Sequence, residues 1–234
     1  MRKLWTAAAA AVCLATFLSA QPRAQKDDKD SEAKRVGEAS TVFDEIMAAD
    51  DKTIPAAILG KATGIAIFPG TIQAGLVVGG IRGRGIISSR SSVQGNSGWS
   101  SPAFLTLTGG TFGLQIGGQA ADIVLVINGQ RGLENLVSNQ WKIGADAGIA
   151  AGPVGRNAQA ATDIQLRAQI LSYSRARGLF AGVTINGSTI RQDVDANQRF
   201  YGSRLTTRQI VFEGKAGAPD PVGEWRAALT KYVK

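Results

Sequence analysis

Across residues 64–118 apolar runs are cut at short intervals by glycine: GIAIFPG, AGLVVGGIRGRGIISSR and GWSSPAFLTLTGGTFGLQIGG. Short runs rich in Val, Ile and Phe between glycine turns have the length and period of strands, so the pattern predicts an antiparallel meander rather than a helix bundle. The expected strands are 65–68, 74–78, 81–89, 103–108, 112–116 and 122–127. Further on, Ile164, Leu166, Ala168 and Ile170 alternate with Asp163, Gln165, Arg167 and Gln169, which predicts a half-buried strand. Two runs, 179–185 and 188–191, flank Asn186-Gly187 and predict a hairpin with a type I′ turn. Between these regions the stretch 142–162 (KIGADAGIAAGPVGRNAQAAT) is low in side-chain volume and predicts a tightly packed strand pair.

Helical spacing is found elsewhere. Val36, Ala39, Val42, Phe43, Ile46 and Met47 recur on one stripe, which predicts an amphipathic helix from Glu32, capped by Ser31 and ending before Thr53. Its polar face is acidic, a poor match to anionic lipid. Shorter helices are expected from Pro55 to Gly60, over 133–137, after the cap Asp193, over 206–212, and over 224–233, where Trp225, Leu229 and Val233 form the apolar stripe. The expected class is α+β: an antiparallel glycine-rich β-barrel or sandwich with flanking short helices. The alternation alone does not separate barrel from sandwich.

The start of the chain changes the expected compartment. Met1-Arg2-Lys3, an apolar run over 4–18 and Ser19-Ala20-Gln21 predict a signal peptide over 1–20, with an uncleaved anchor as the alternative. A flexible, charged leader is expected over 21–31, a folded domain over 32–214, and a Gly/Pro linker with a C-terminal helix over 215–234. Export to a periplasm or cell envelope follows. Cys13 lies inside the apolar run, a poor position for lipidation, and no other cysteine exists to form a disulfide. The chain has no histidine, which removes the commonest general base and metal ligand.

Charge adds a candidate surface. The net charge is +8, or +6 without Arg2 and Lys3, and it is uneven: residues 21–60 sum to −3 and residues 61–234 to +9. Thirteen of the eighteen cations in the second part are arginine, whose planar fork suits phosphate. Arg82 and Arg84 stand two apart in GGIRGRG and share one face if the segment is a strand. Arg175 and Arg177 repeat the spacing in SYSRARGLF, beside hydroxyls and an apolar pair, a mixture that suits a membrane surface. The competing explanation for the second pair is a strand edge protected by charge. Nucleic acid is not expected, since aromatic content is 6% and the basic residues are spread out.

Catalytic and cofactor patterns are missing from the sequence. There is no GxxxxGK[ST] loop and no GxSxG elbow, and GGIRGRG lacks the strand, loop and helix setting of a dinucleotide site. Asp122, Asp146 and Asp163 are too scattered for a metal cage. No enzyme activity, cofactor or metal is expected.

The motifs FPG (68–70), AGLVVGGIRGRG (74–85), GWSSPAFLTL (98–107), GLQIGGQAADIVLVI (113–127), AGPVGR (151–156) and SYSRARGLFAGVTINGS (172–188), closed by Tyr201-Gly202, resemble the SYLF domain over about residues 35–212. That family occurs in exported bacterial proteins and in eukaryotic proteins joined to SH3 or FYVE modules. The resemblance implies lipid binding, because eukaryotic members bind phosphoinositides and take part in membrane and actin organisation. The combined expectation is a non-enzymatic module that binds anionic phospholipid at an envelope membrane through Arg82, Arg84, Arg175 and Arg177. The alternative is a structural module that self-associates or docks an envelope partner.

Overall fold

The computed structural model describes residues 21–49, 53–75, 78–91, 98–112, 117–143, 148–155, 168–176, 178–183 and 185–233. The expected signal peptide, most of the strand expected over 112–116, the alternating residues 163–167 and Arg177 lie outside them.

The strands are β1 (Gly64–Gly75), β2 (Val78–Ser91), β3 (Gly98–Trp99), β4 (Ala103–Phe112), β5 (Gly117–Ile127), β6 (Gln140–Lys142), β7 (Ile149–Ala151), β8 (Ile170–Ala176), β9 (Leu179–Gly182) and β10 (Ser188–Gln192). They form one ten-stranded sheet in the order β6-β10-β4-β2-β1-β5-β8-β7, with β3 beside β2 and β9 beside β8. Every pairing is antiparallel except that of β7 with β8. The sheet curls strongly into a half-barrel, and short helices flank it.

Connectivity requires this curl. β6 and β7 are the two ends of the strand order, yet only residues 143–148 separate Lys142 from Ile149. Eight flat strands put their outer members about 34 Å apart at ordinary spacing. The connecting chain spans at most about 25 Å when fully extended. The edges therefore bend toward each other.

Both faces of the sheet are buried at its centre, which explains why β1 and β5 read as unbroken apolar runs. Ile65, Ile67, Ile86, Phe104, Val124, Val126, Leu171 and Tyr173 face one core, and Ala66, Phe68, Ile87, Leu105, Ile123, Leu125 and Ile127 face the other. The first core is closed by α1 (Gln21–Met47), α4 (Val194–Tyr201) and α6 (Val222–Tyr232); α3 (Gln130–Leu136) and α5 (Thr207–Val211) cover the second. A four-residue helix, α2 (Ala56–Leu59), leads into β1.

Local signals for these helices are strong. Asp193 caps α4 by accepting from the Ala196 amide at 2.9 Å, and Thr206 with Gln209 forms a capping box on α5. Trp225, Leu229 and Val233 are buried against the sheet, and the indole of Trp225 donates to Ser88 Oγ at 2.8 Å.

Four expectations are corrected. The segments 65–68 and 74–75 belong to one strand, β1, which carries a bulge between Phe68 and Thr71; Val78, expected in the second segment, opens β2, and 76–77 lie outside the described residues. Pro69 has no N–H to give the ladder, and Gly70 takes φ 54°, donating instead to Asp122 Oδ1 at 2.9 Å. The helix expected from Glu32 begins at Gln21, so the stretch 21–31, expected as a flexible leader, is helical; its two lysines, two glutamines, Arg23 and Ala24 are good helix formers and Pro22 falls in the first turn.

The hairpin across Asn186-Gly187 does not form. The turn is present, with Gly187 at φ 81°, but its amide bonds Ile143, and β10 pairs with β4 and β6. β9 folds back on β8 instead, where Phe180 stacks on Tyr173 at 5.3 Å. Among the described residues of 142–162 no strand pair forms, since β6 and β7 lie at opposite edges; 144–147 and 156–162 lie outside the described residues. Small residues there serve a different close approach: Gly152 sits against the Tyr173 ring.

Candidate functional site

Beyond the helices, one face of the sheet is open. It carries Arg82 and Arg84 of β2, and cross-strand register extends it. Arg82 lies opposite Thr108, Thr108 opposite Thr189, and Thr189 opposite Lys142. Arg84 lies opposite Thr106, Thr106 opposite Arg191, and Arg191 opposite Gln140. Directly opposed residues of an antiparallel ladder point to one side, so these eight side chains form two adjacent rows. Intervening residues such as Leu105, Leu107, Ile190 and Trp141 point into the second core.

The rows contain four cations, three threonines, one glutamine and no carboxylate. Arg82, Arg84, Arg191 and Lys142 are all exposed, and among the described residues none of them makes a salt bridge. Arg82 and Arg84 are about 7 Å apart along the strand, and Arg191 lies two strands from Arg84 in the same row, about 10 Å away. Guanidinium groups at this spacing, interleaved with hydroxyl donors, match an array of phosphate oxygens better than a single ligand.

Arg175 is placed elsewhere. It sits in β8, three strands from β2, where it bonds Asp122 at 2.8 Å and also pairs with Glu45 of α1. Partial burial pulls its pKa down, but the bonds to Glu45 and Asp122 outweigh it and hold the pKa above the ordinary arginine value. This arginine fastens α1 to the sheet. The sequence pairing of Arg82 with Arg84 thus holds on one face, Arg175 does not join them, and Arg177 lies outside the described residues. Arg191 and Lys142 were missed, because their approach depends on the β10–β4 and β6–β10 pairings, which no local pattern announces.

A second charged group is buried under the edge of this face. Glu32 of α1 meets Arg35 at 2.7 Å and Arg199 of α4 at 2.6 Å. Burial lowers the Arg35 pKa, against the raising effect of Glu32, and its guanidinium also stands 5.3 Å from the centre of the Phe104 ring. Glu32 is 2% and Arg35 6% exposed, so this pair is sealed beneath the helix, while the Arg199 side chain at its edge is one third exposed.

Among the described residues no group of three or more His, Cys, Asp or Glu is arranged to hold a metal, and no helix is long and apolar enough to cross a membrane. The half-barrel thus leaves one cationic, hydroxyl-rich face open.

The comparisons place it more narrowly. Residues 108–232 match the Ysc84 family model, described as Las17-binding protein actin regulator. The chain belongs to this family, the SYLF family. It is 32% identical over 185 residues to human SH3 domain-containing YSC84-like protein 1, covering 78% of this chain and 53% of that protein. LAS seventeen-binding protein 3 of Saccharomyces cerevisiae is 31% identical over 204 residues, covering 86% of this chain and 43% of the yeast protein. Protein YSC84 of the same yeast is 31% identical over 172 residues, 72% of this chain and 36% of its own. The chain thus spans about half or less of the length of these relatives. Of these names that of LAS seventeen-binding protein 3 describes a binding protein, in line with the description of the family.

Proposed function

We propose that this protein is a non-enzymatic module that binds anionic phospholipid surfaces through the open sheet face, at an envelope membrane reached by export. The observation that carries this reading is the pair of side-chain rows with Arg82, Arg84, Arg191 and Lys142 on one side and no carboxylate among them. Each cation near an anionic leaflet contributes about 1 kcal/mol, and the sum is salt-sensitive because the site is exposed. Arg175 contributes through α1 rather than through phosphate.

The test is co-sedimentation of the chain from Gln21, which carries every described element, with phosphatidylcholine vesicles with and without phosphatidylglycerol. Binding is expected only to the anionic vesicles and is expected to fall steeply with salt. Replacing Arg82, Arg84, Arg191 and Lys142 together by glutamine should remove it, whereas undiminished binding by that variant would refute the site. A protein-docking reading has one observation in its favour, the Las17-binding description of the family. In that case the same face meets an acidic protein, and vesicles bind neither form.

A further inference from the structure

Two side chains are unexplained by an electrostatic face. Ile72 and Leu179 are the exposed large hydrophobic residues among those described, at 59% and 67% exposure. Register places both at one end of the sheet. Ile72 lies opposite Ala120 of β5, and Asp122, two residues on, lies opposite Arg175 of β8. β8 ends at Ala176, whose partner is Leu179, the first residue of β9. Strands β1, β2, β4 and β5 also terminate at this end, where Gly75 pairs with Gly79 and Gly117, and Val78 with Phe112.

The two residues occupy opposite faces. Ile72 shares the face of Arg82, its cross-strand partner. Leu179 shares the face of Ala176, and strand alternation sets that face opposite the one holding Tyr173 and Arg175. A flat surface laid on either face touches only one of them. A surface met by the end of the sheet touches both.

Beside Gln73 and Gln119, which lie opposite each other and are half-buried, this end carries a patch of small residues. Gly80 lies opposite Ala74 and Gly110, and all three are exposed. A Cβ on Gly80 or Gly110 meets nothing nearer than 3.8 Å or 3.9 Å, so packing within the protein does not require glycine at either position. The backbone there is paired in the ladder, so covering it with an apolar medium strands no N–H or C=O group. Arg82, Thr108, Thr189 and Lys142 continue the row of Ile72 across the sheet. Cations therefore begin at the level where the apolar end stops, which suits side chains that keep charge at phosphate while their stems follow apolar surface.

The geometry points to an end-on membrane contact: the end bearing Ile72, Leu179 and the Ala74, Gly80 and Gly110 patch enters the headgroup boundary of an anionic bilayer, with Arg82 and Lys142 at the phosphate level. It rests on the lipid reading above and adds to it an orientation and an apolar component that salt does not screen.

The experiment uses the same chain and phosphatidylcholine vesicles containing phosphatidylglycerol. Ile72→Ser and Leu179→Ser are each expected to weaken binding about tenfold, from partial loss of one large apolar contact, with the salt dependence kept. Both sites are exposed, so the thermal transition should be unchanged. The fluorescence added by Leu179→Trp should shift to the blue on binding and be quenched by lipids brominated along the acyl chain. If the double serine variant binds as the parent does while the four-glutamine variant fails, end-on contact is overturned and the electrostatic face stands. Loss of binding in the serine variants without quenching of the indole introduced by Leu179→Trp also overturns insertion. A parent chain that binds no vesicle overturns both.

Discussion

Single atoms decide which positions of this fold tolerate change. A Cβ on Gly152 falls 2.0 Å from Tyr173 Cζ, on a buried ring that is also stacked with Phe180. Gly152→Ala is expected to cost at least the 1–3 kcal/mol typical of overpacking, roughly, and to lower the melting temperature accordingly. Gly110→Ala, one of the open positions, should leave it within error. A chain in which both variants melt alike would contradict this placement of β7 against β8. Burial raises the pKa of Tyr173, and also that of Tyr201, where the Arg226 charge and the bond to Ser101 oppose it in part. The unfolded chain loses these protons near pH 10 while the folded chain retains them. It then binds fewer protons than the native state, so stability is full below about pH 10 and falls as pH rises beyond it. Among the described residues the Tyr173 hydroxyl has no hydrogen-bond partner. Tyr173→Phe should therefore leave neutral-pH stability intact or slightly higher, and should shallow the alkaline decline measured by thermal melts across about pH 8–12.

At the scale of elements, α1 is fixed by charge as much as by its apolar stripe. Val36, Ala39, Phe43 and Ile46 pack into the first core, and Phe43 meets Trp225 edge-on at 6.2 Å. Glu32 ties α1 to α4, and removing it strands the buried Arg35. Glu32→Ala is expected to destabilise by about 3–5 kcal/mol, the cost of leaving one member of a buried pair unpaired. In a chain of this size that lowers the melting temperature by about 10 °C. The α1 stripe, the Asp193 cap of α4 and the terminal helix were legible because the signals are local: an Asp three residues before a free amide, or Trp225 and Leu229 one turn apart; Ser31, expected to cap α1, lies inside it. Strand pairing was not. Asn186-Gly187 does turn the chain, yet whether the following strand pairs backward or crosses to β4 is settled by Phe180 stacking on Tyr173 and by Gly187 bonding Ile143. The same limit separated Arg82 from Arg191, which are far apart in sequence and two strands apart in the sheet.

For the whole molecule, the excess of +9 over residues 61–234 is spread through the sequence, but folding gathers part of it onto one face. Arg175, by contrast, was legible as a residue type and not as a role, because the carboxylates that claim it come from α1 and β5. The connection of residues 143–148 between the two outermost strands has a mechanical effect as well. β6 and β7 are each three residues long, short enough to fray independently in an open sheet. Here only six residues of chain join the two edges, so a strand that detaches at one edge loosens the placement of the other. Their amides are expected to exchange with deuterium in one shared opening event, at rates that move together when either edge is weakened, for instance by Trp141→Ala.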